Sequence, residues 1–352
     1  MNKNNMSLFE NALGELDENS WLDSLEKLIP SIHEVDKVPT QIWFRFYPLS
    51  LHRYLQKSED LEATLHGFAM QGDYSLLDQI DSSHSFLYGH RYWKDIKHAI
   101  VKRAESFEGD SFDFDSEVKT LAKSVANALN QDESLLTGIT LVGLMTLVQV
   151  GLENFENAKG ELTKPSGLLK KSPDAIVKER QKEDKQGLFG FLKTIDKEFH
   201  VTWDESNPTA KFKAIYDEEI ATAAARDQSQ NWLEKDERCG EGVIPVECRA
   251  AACGTCWVGV VSGAEKLSDV QKMERKQMKI FGYRQGEESK PFMRLACQAQ
   301  AEGSVSVVIP PWNGVFGKKV YGNVEKITLE PATTSAAKLR EAIDEVTGSD
   351  KN

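Results

Sequence analysis

The 352 residues contain no dinucleotide fingerprint and no phosphate-cradling loop. There is no G-x-G-x-x-G after a strand-like run, no G-x-x-x-x-G-K, no H-E-x-x-H and no nucleophile elbow. Their absence demotes a self-contained oxidoreductase and leaves open whether the chain is an enzyme at all. Basic residues are also short, with 43 Lys and Arg against 55 Asp and Glu, a net charge of −12. That balance disfavours nucleic acid, whose phosphates need basic patches. The first residues, MNKNNMSLFENALGELDENSW, hold no apolar core of the kind a signal peptide carries. A reducing cytoplasm is therefore expected, and with it free thiols. The five cysteines are not read as a disulfide framework, which needs an oxidising compartment and usually a small secreted domain, neither of which is indicated.

What is there points to more than one domain. The length allows two cores, and 40% hydrophobic with 28% charged residues is ordinary globular composition. Residues 1–158 read as an all-α domain. Leu8, Leu16, Trp21, Leu22, Leu25 and Leu28 recur at close to helical spacing until Pro30, and Pro39 opens an aromatic run from Ile42 to Tyr47. Further helices are expected near 61–71, 92–106 and 115–130. Ser134 to Leu152 is nineteen residues without a formal charge, long enough to ask about a membrane. Its threonines, Gln149 and two of its glycines, Gly138 and Gly143, favour a helix buried inside the domain, with peripheral membrane association still open.

Histidines gather at His84, His90 and His98 among Phe86, Tyr88, Tyr92 and Trp93. The spacing does not put a ligand pair on one helix face, so a structural role is expected there. Residues 159–190 turn lysine- and glutamate-rich and read as a charged linker, a tether on which a second domain could swing. From 191 to about 330 the pattern becomes mixed. Phe199–Trp203 and Lys211–Tyr216 alternate as strands, Ile220–Lys235 reads as a helix, and Trp257–Val261 as a strand. Ser268 and Gln271 suggest a capping box for a helix to Ile280, and the tail 331–352 reads as an amphipathic helix.

The densest chemistry lies in Glu247–Val258, ECRAAACGTCWV. Cys248, Cys253 and Cys256 follow a C-x4-C-x2-C spacing, and Cys297 comes forty residues later. Four thiolates so spaced suit two bridged irons, whereas structural zinc usually takes two close cysteine pairs. Ala250, Ala251, Ala252, Gly254 and Thr255 are small, so the backbone can wrap a cluster. Cys239 fits no ligand position and is expected to be a free thiol.

These residues resemble the plant-type 2Fe–2S ferredoxin family. Ile244-Pro245 leads into Cys248-Arg249-Ala250, then Cys253-Gly254-Thr255-Cys256-Trp257-Val258. Leu295-Ala296-Cys297-Gln298 is similar to the family's fourth-ligand segment and Val305–Pro310 to its closing strand. Ala251 departs from the family's usual glycine, and the gap before Cys297 is longer than in small plant carriers. The resemblance implies an α+β β-grasp fold and a 2Fe–2S cluster held by Cys248, Cys253, Cys256 and Cys297. It implies one-electron transfer near about −400 mV, with a reductase or terminal acceptor as protein partner. The helical domain would select or anchor that partner. A redox-responsive interaction protein, or the iron–sulfur subunit of a larger oxidoreductase, needs the same ligands.

Overall fold

The computed structural model describes residues 6–109, 112–160, 162, 164–182, 197–284, 288 and 290–322. The first helix, Leu8–Gly14, starts at a capping box: the Ser7 hydroxyl accepts from Glu10 N, and the Glu10 carboxylate accepts from Ser7 N. The run read as one helix up to Pro30 is in fact two. Asp17 accepts from Ser20 N and so starts a second helix, Glu18–Leu28.

The charge-free stretch forms the helix Ser134–Val150, buried along nearly all its length. It packs against the helices Glu34–Phe46, Trp93–Ser106 and Phe114–Leu129. Its polar side chains are paired inside. Thr137, Thr140 and Thr146 donate to the carbonyls four residues back, and Gln149 donates to Tyr47 O at 2.9 Å. Among the described residues no helix is long and apolar enough to cross a membrane. Protein takes the place that lipid would have held.

Pro39, expected to open a segment, instead lies inside the helix Glu34–Phe46. A proline has no N–H to give, so the carbonyl four residues earlier loses its helical partner. That carbonyl, Val35 O, accepts from Arg180 Nη1 at 2.6 Å. Arg180 also pairs with Glu205 at 2.8 Å, both side chains being only 7% exposed. Within the segment read as a charged linker, Pro173–Arg180 is thus a helix, with Ile176 wholly buried. Residues 183–190 lie outside the described residues.

Among the described residues there are nine short strands: β1 Gln71–Gly72, β2 Glu198–Thr202, β3 Lys211–Ile215, β4 Glu218–Glu219, β5 Trp257–Ser262, β6 Met293–Leu295, β7 Gln300–Ala301, β8 Val305–Val308 and β9 Trp312–Asn313. Five make a mixed sheet in the order β3-β2-β8-β5-β6, in which only the β2–β8 pair is parallel. Phe199, Val201, Phe212 and Ala214 alternate inward, as their period of two requires. The stretch read as one helix from Ile220 is Ile220–Arg226 and Trp232–Lys235. The later helix begins at Lys272, and Ser268, rather than capping it, accepts from Gln300 N.

Helical and sheet-bearing parts pack directly within one compact unit, 1–322. At Gly259 a Cβ would come within 2.4 Å of Ile42 Cγ2, so only glycine lets β5 lie on the helix Glu34–Phe46. β1 pairs with β9, and Trp312 Nε1 donates to Phe46 O at 2.6 Å. Arg284 reaches Asp23 and Glu26 at 2.7 and 3.2 Å. The segment 323–352, with the helix expected over 331–352, lies outside the described residues.

Candidate iron–sulfur site

The loop before β5 turns through two left-handed residues, Arg249 at φ 50° and Ala251 at φ 53°. Ala251 thus adopts the conformation that glycine would take there. The turns aim successive N–H groups inward: those of Ala250, Ala252 and Cys253 approach Cys248 Sγ at 3.4, 3.3 and 3.4 Å. Cys253 Sγ lies 3.1 Å from Cys248 Sγ and 3.1 Å from Thr255 Oγ1. Gly254, at φ 71°, has no room for a side chain, since a Cβ would sit 2.5 Å from the Phe281 ring.

The second sulfur pair is set by the sheet. Trp257 pairs with Leu295 across β5 and β6, and Ala296 N donates to Cys256 O at 2.9 Å. Cys297 is thereby placed opposite Cys256, and their side chains hydrogen-bond. Gln298 Nε2 lies 3.6 Å from Cys297 Sγ. Behind them Arg294 is wholly buried on Glu274, at 2.9 and 3.0 Å, and also donates to Ser268 O. Glu274 Oε1 further accepts from Leu295 N at 2.7 Å. One ion pair thus ties the helix Lys272–Ile280 to the strand that presents Cys297. Sequence reasoning missed this support and β6; an Arg three residues before the cysteine was the available signal.

Electrostatics separate the thiols. At Cys248 burial pushes the thiol up, but the converging N–H groups and Cys253 outweigh it, and its pKa is lowered. The hydrogen bond from Cys256 draws Cys297 down to about 6, while Cys256, as donor, is pushed far up. Within each pair one thiol is lowered and its neighbour raised. Cys239 behaves differently. Burial raises it to about 11, and its Sγ donates to Val243 O at 3.2 Å.

The four sulfurs form two pairs, and among the described residues no group of three or more His, Cys, Asp or Glu is arranged around a single metal ion. Two pairs suit two bridged irons better than one tetrahedral ion. The Trp257 indole N–H is buried without a partner, and a Cβ on Gly254 would lie 3.2 Å from it. Thiolate-forming pairs, inward N–H groups and an orphaned donor against the loop all fit an anionic, sulfur-rich group.

The histidines divide. His84 and His90 are buried with Nδ1 atoms 2.9 Å apart and both Nε2 atoms unpartnered, while His98 is exposed on the helix Trp93–Ser106. Burial lowers His90 to about 4 and also holds His84 well below the usual imidazole range, so both stay neutral.

Residues 215–302, which contain all four of these cysteines, match the family model of the 2Fe-2S iron-sulfur cluster binding domain. This part of the chain is a ferredoxin-family domain, and its cofactor is a 2Fe–2S cluster. No curated protein and no solved structure matches the chain.

Proposed function

We propose that this is a one-electron transfer protein of the plant-type 2Fe–2S kind, built on a β-grasp sheet. Cys248, Cys253, Cys256 and Cys297 would hold the cluster, the first two as one neighbouring pair and the last two as the other. The observation that carries this reading is the separation of four thiols into two contacting pairs at one loop and one strand end. When bound, the group supplies reversible one-electron chemistry.

The chain's own residues set the terms of that chemistry. The N–H groups of Ala250, Ala252 and Cys253 offset negative charge on sulfur, which favours the reduced form. Cys256 and Cys297 are buried, while Cys248 and Cys253 are half-exposed beside exposed Ala250 and Ala252. Electrons therefore enter and leave on the Cys248–Cys253 side. Arg249, paired with Glu241 and bonded to Thr222 Oγ1 at 3.1 Å, borders that face and steadies the loop. The partner is a reductase or terminal acceptor in the cytoplasm, and residues 1–158 form the domain that selects or anchors it.

The test is electron paramagnetic resonance before and after dithionite, with iron and sulfide assays. A silent oxidised protein should gain a single-spin signal, with two irons and two sulfides per chain. Cys253→Ser should lose or distort that signal and Cys239→Ser should keep it. Equal loading in both variants would overturn the ligand set.

A further inference from the structure

A cavity of about 300 Å³ opens between the helix Leu49–Gln56, the stretch Tyr74–Leu77 and Trp312. No Asp, Glu, Lys or Arg lines it. Its walls include the rings of Phe46, Tyr47, Tyr74 and Trp312; of its polar side chains, Ser75, Gln149 and Asn154 are engaged with Leu77 N, Tyr47 O and Val150 O, and His52 and Gln56 are the others. An uncharged, ring-lined space with few polar atoms has the make-up of a small-molecule site. A charged ligand would be stranded there without a counter-ion. Leu61 and Leu77, 44% and 52% exposed, stand among the lining residues and mark its open side.

Trp312 joins this cavity to the cysteine loop. Its indole N–H is fixed on Phe46 O, so the ring holds one orientation. From Trp312 the rings run to Phe316 at 5.2 Å between centroids, then Phe281 at 5.3 Å and Trp257 at 5.7 Å. Trp257 follows Cys256 directly, and Phe281 presses on Gly254. All four rings are buried in one continuous row. Tunnelling weakens steeply with each gap between groups, and contacting rings leave only short gaps. A purely structural pocket has no need of that connection.

We propose that the cavity binds a neutral, planar, redox-active carbonyl compound of the quinone class, in electronic contact with the cysteine site through Trp257, Phe281, Phe316 and Trp312. This inference rests on the one-electron reading above and names a small-molecule partner for it. Neutrality follows from the lining, planarity from the ring walls, and the carbonyl from the donors His52 and Gln56. The quinone is the oxidant and takes one electron per event from the reduced protein. Water at the open side supplies the accompanying proton.

The probe is duroquinone, whose fully substituted ring does not alkylate thiols. Calorimetric titration of the oxidised full chain should give one saturable site. Leu55→Trp fills the cavity and should weaken binding at least tenfold; Leu61→Trp, at an exposed position, repeats the test where folding is not at stake. Phe316→Leu interrupts the row outside the cavity. It should keep binding and slow reoxidation of the dithionite-reduced protein by duroquinone at least tenfold in stopped flow. No saturable binding, or binding untouched in both cavity variants, overturns the site. An unchanged rate in a folded Phe316→Leu overturns the ring row. A chain that holds no iron would fail the earlier reading instead, and calorimetry would still judge the cavity by itself.

Discussion

At Ala251 a β-carbon sits in left-handed backbone, which costs roughly 1–2 kcal/mol for an ordinary residue. The loop accepts this cost because the turn aims Ala252 and Cys253 N–H at Cys248 Sγ. Ala251→Gly should therefore stabilise the loaded loop by about 1 kcal/mol. The readout is slower bleaching of visible absorption under a chelator, with the same resonance signal; faster bleaching would refute the strain. The four cysteines and the small residues around them were legible in the sequence, because spacing and size are written there. N–H groups aimed at the sulfurs were also expected of so short a loop, and those of Ala250, Ala252 and Cys253 do approach Cys248 Sγ; the left-handed turn at Arg249 was not legible, since no residue type in that loop demands positive φ. Cys239 was legible as an outsider, though only the fold shows its thiol bonded to Val243 O.

Between elements, the Arg294–Glu274 pair is the joint that matters most for Cys297. Removing one partner of a wholly buried ion pair leaves a stranded charge, typically a loss of about 3–5 kcal/mol. Glu274→Ala should cost about that much in urea unfolding and loosen cluster retention as well. A double variant, Glu274→Leu with Arg294→Met, should recover much of the stability, because no charge is then buried alone. If the single and double variants unfold alike, the pair is not what holds the joint. Sequence periodicity found the helices near 93–106 and 114–129 and the strands β2, β3 and β5, while β8 was expected from the family resemblance. It merged Leu8–Gly14 with Glu18–Leu28, because Asp17 looks like any polar residue on a helix surface. It read Pro39 as a boundary, because the remedy for the lost hydrogen bond, Arg180, lies 141 positions later in the chain. Non-local partners of this kind leave no local mark.

For the whole molecule, buried neutral histidines make stability depend on acidity. His90 and His52 are lowered to about 4 by burial. As the pH falls from about 6.5 towards 4, the unfolded chain takes up protons that these groups refuse while folded. Stability is therefore lost across that window. Asp36, raised to about 6 by burial, acts in the opposite sense over part of it, so the comparison must be between variants. Calorimetry at pH 7 and pH 5 should show a lower melting temperature at pH 5 and a smaller drop in His90→Gln. Equal drops would show that His90 carries none of the effect. A single transition for helical and sheet-bearing parts is also expected, because Ile42, Phe46 and Arg180 cross between them. Residue pattern separates a helical from a mixed stretch in the sequence, but an interface made by a bare glycine and a carbonyl leaves no such mark.

The position of β8 also sets a timetable for synthesis. Domains begin to fold as they leave the ribosome, N-terminal parts first. The strand Val305–Val308 lies between β2 and β5, so the sheet has no centre until those last residues emerge. Cys297 comes almost as late. The helical part can settle early, but the proposed set of four cysteines is complete only once residue 297 has emerged. A nascent chain halted before residue 297 would carry four of the five thiols, three of them in the loop 248–256, and would lack the last cysteine of the proposed ligand set, so on that assignment late closure on iron is a property of the chain order itself.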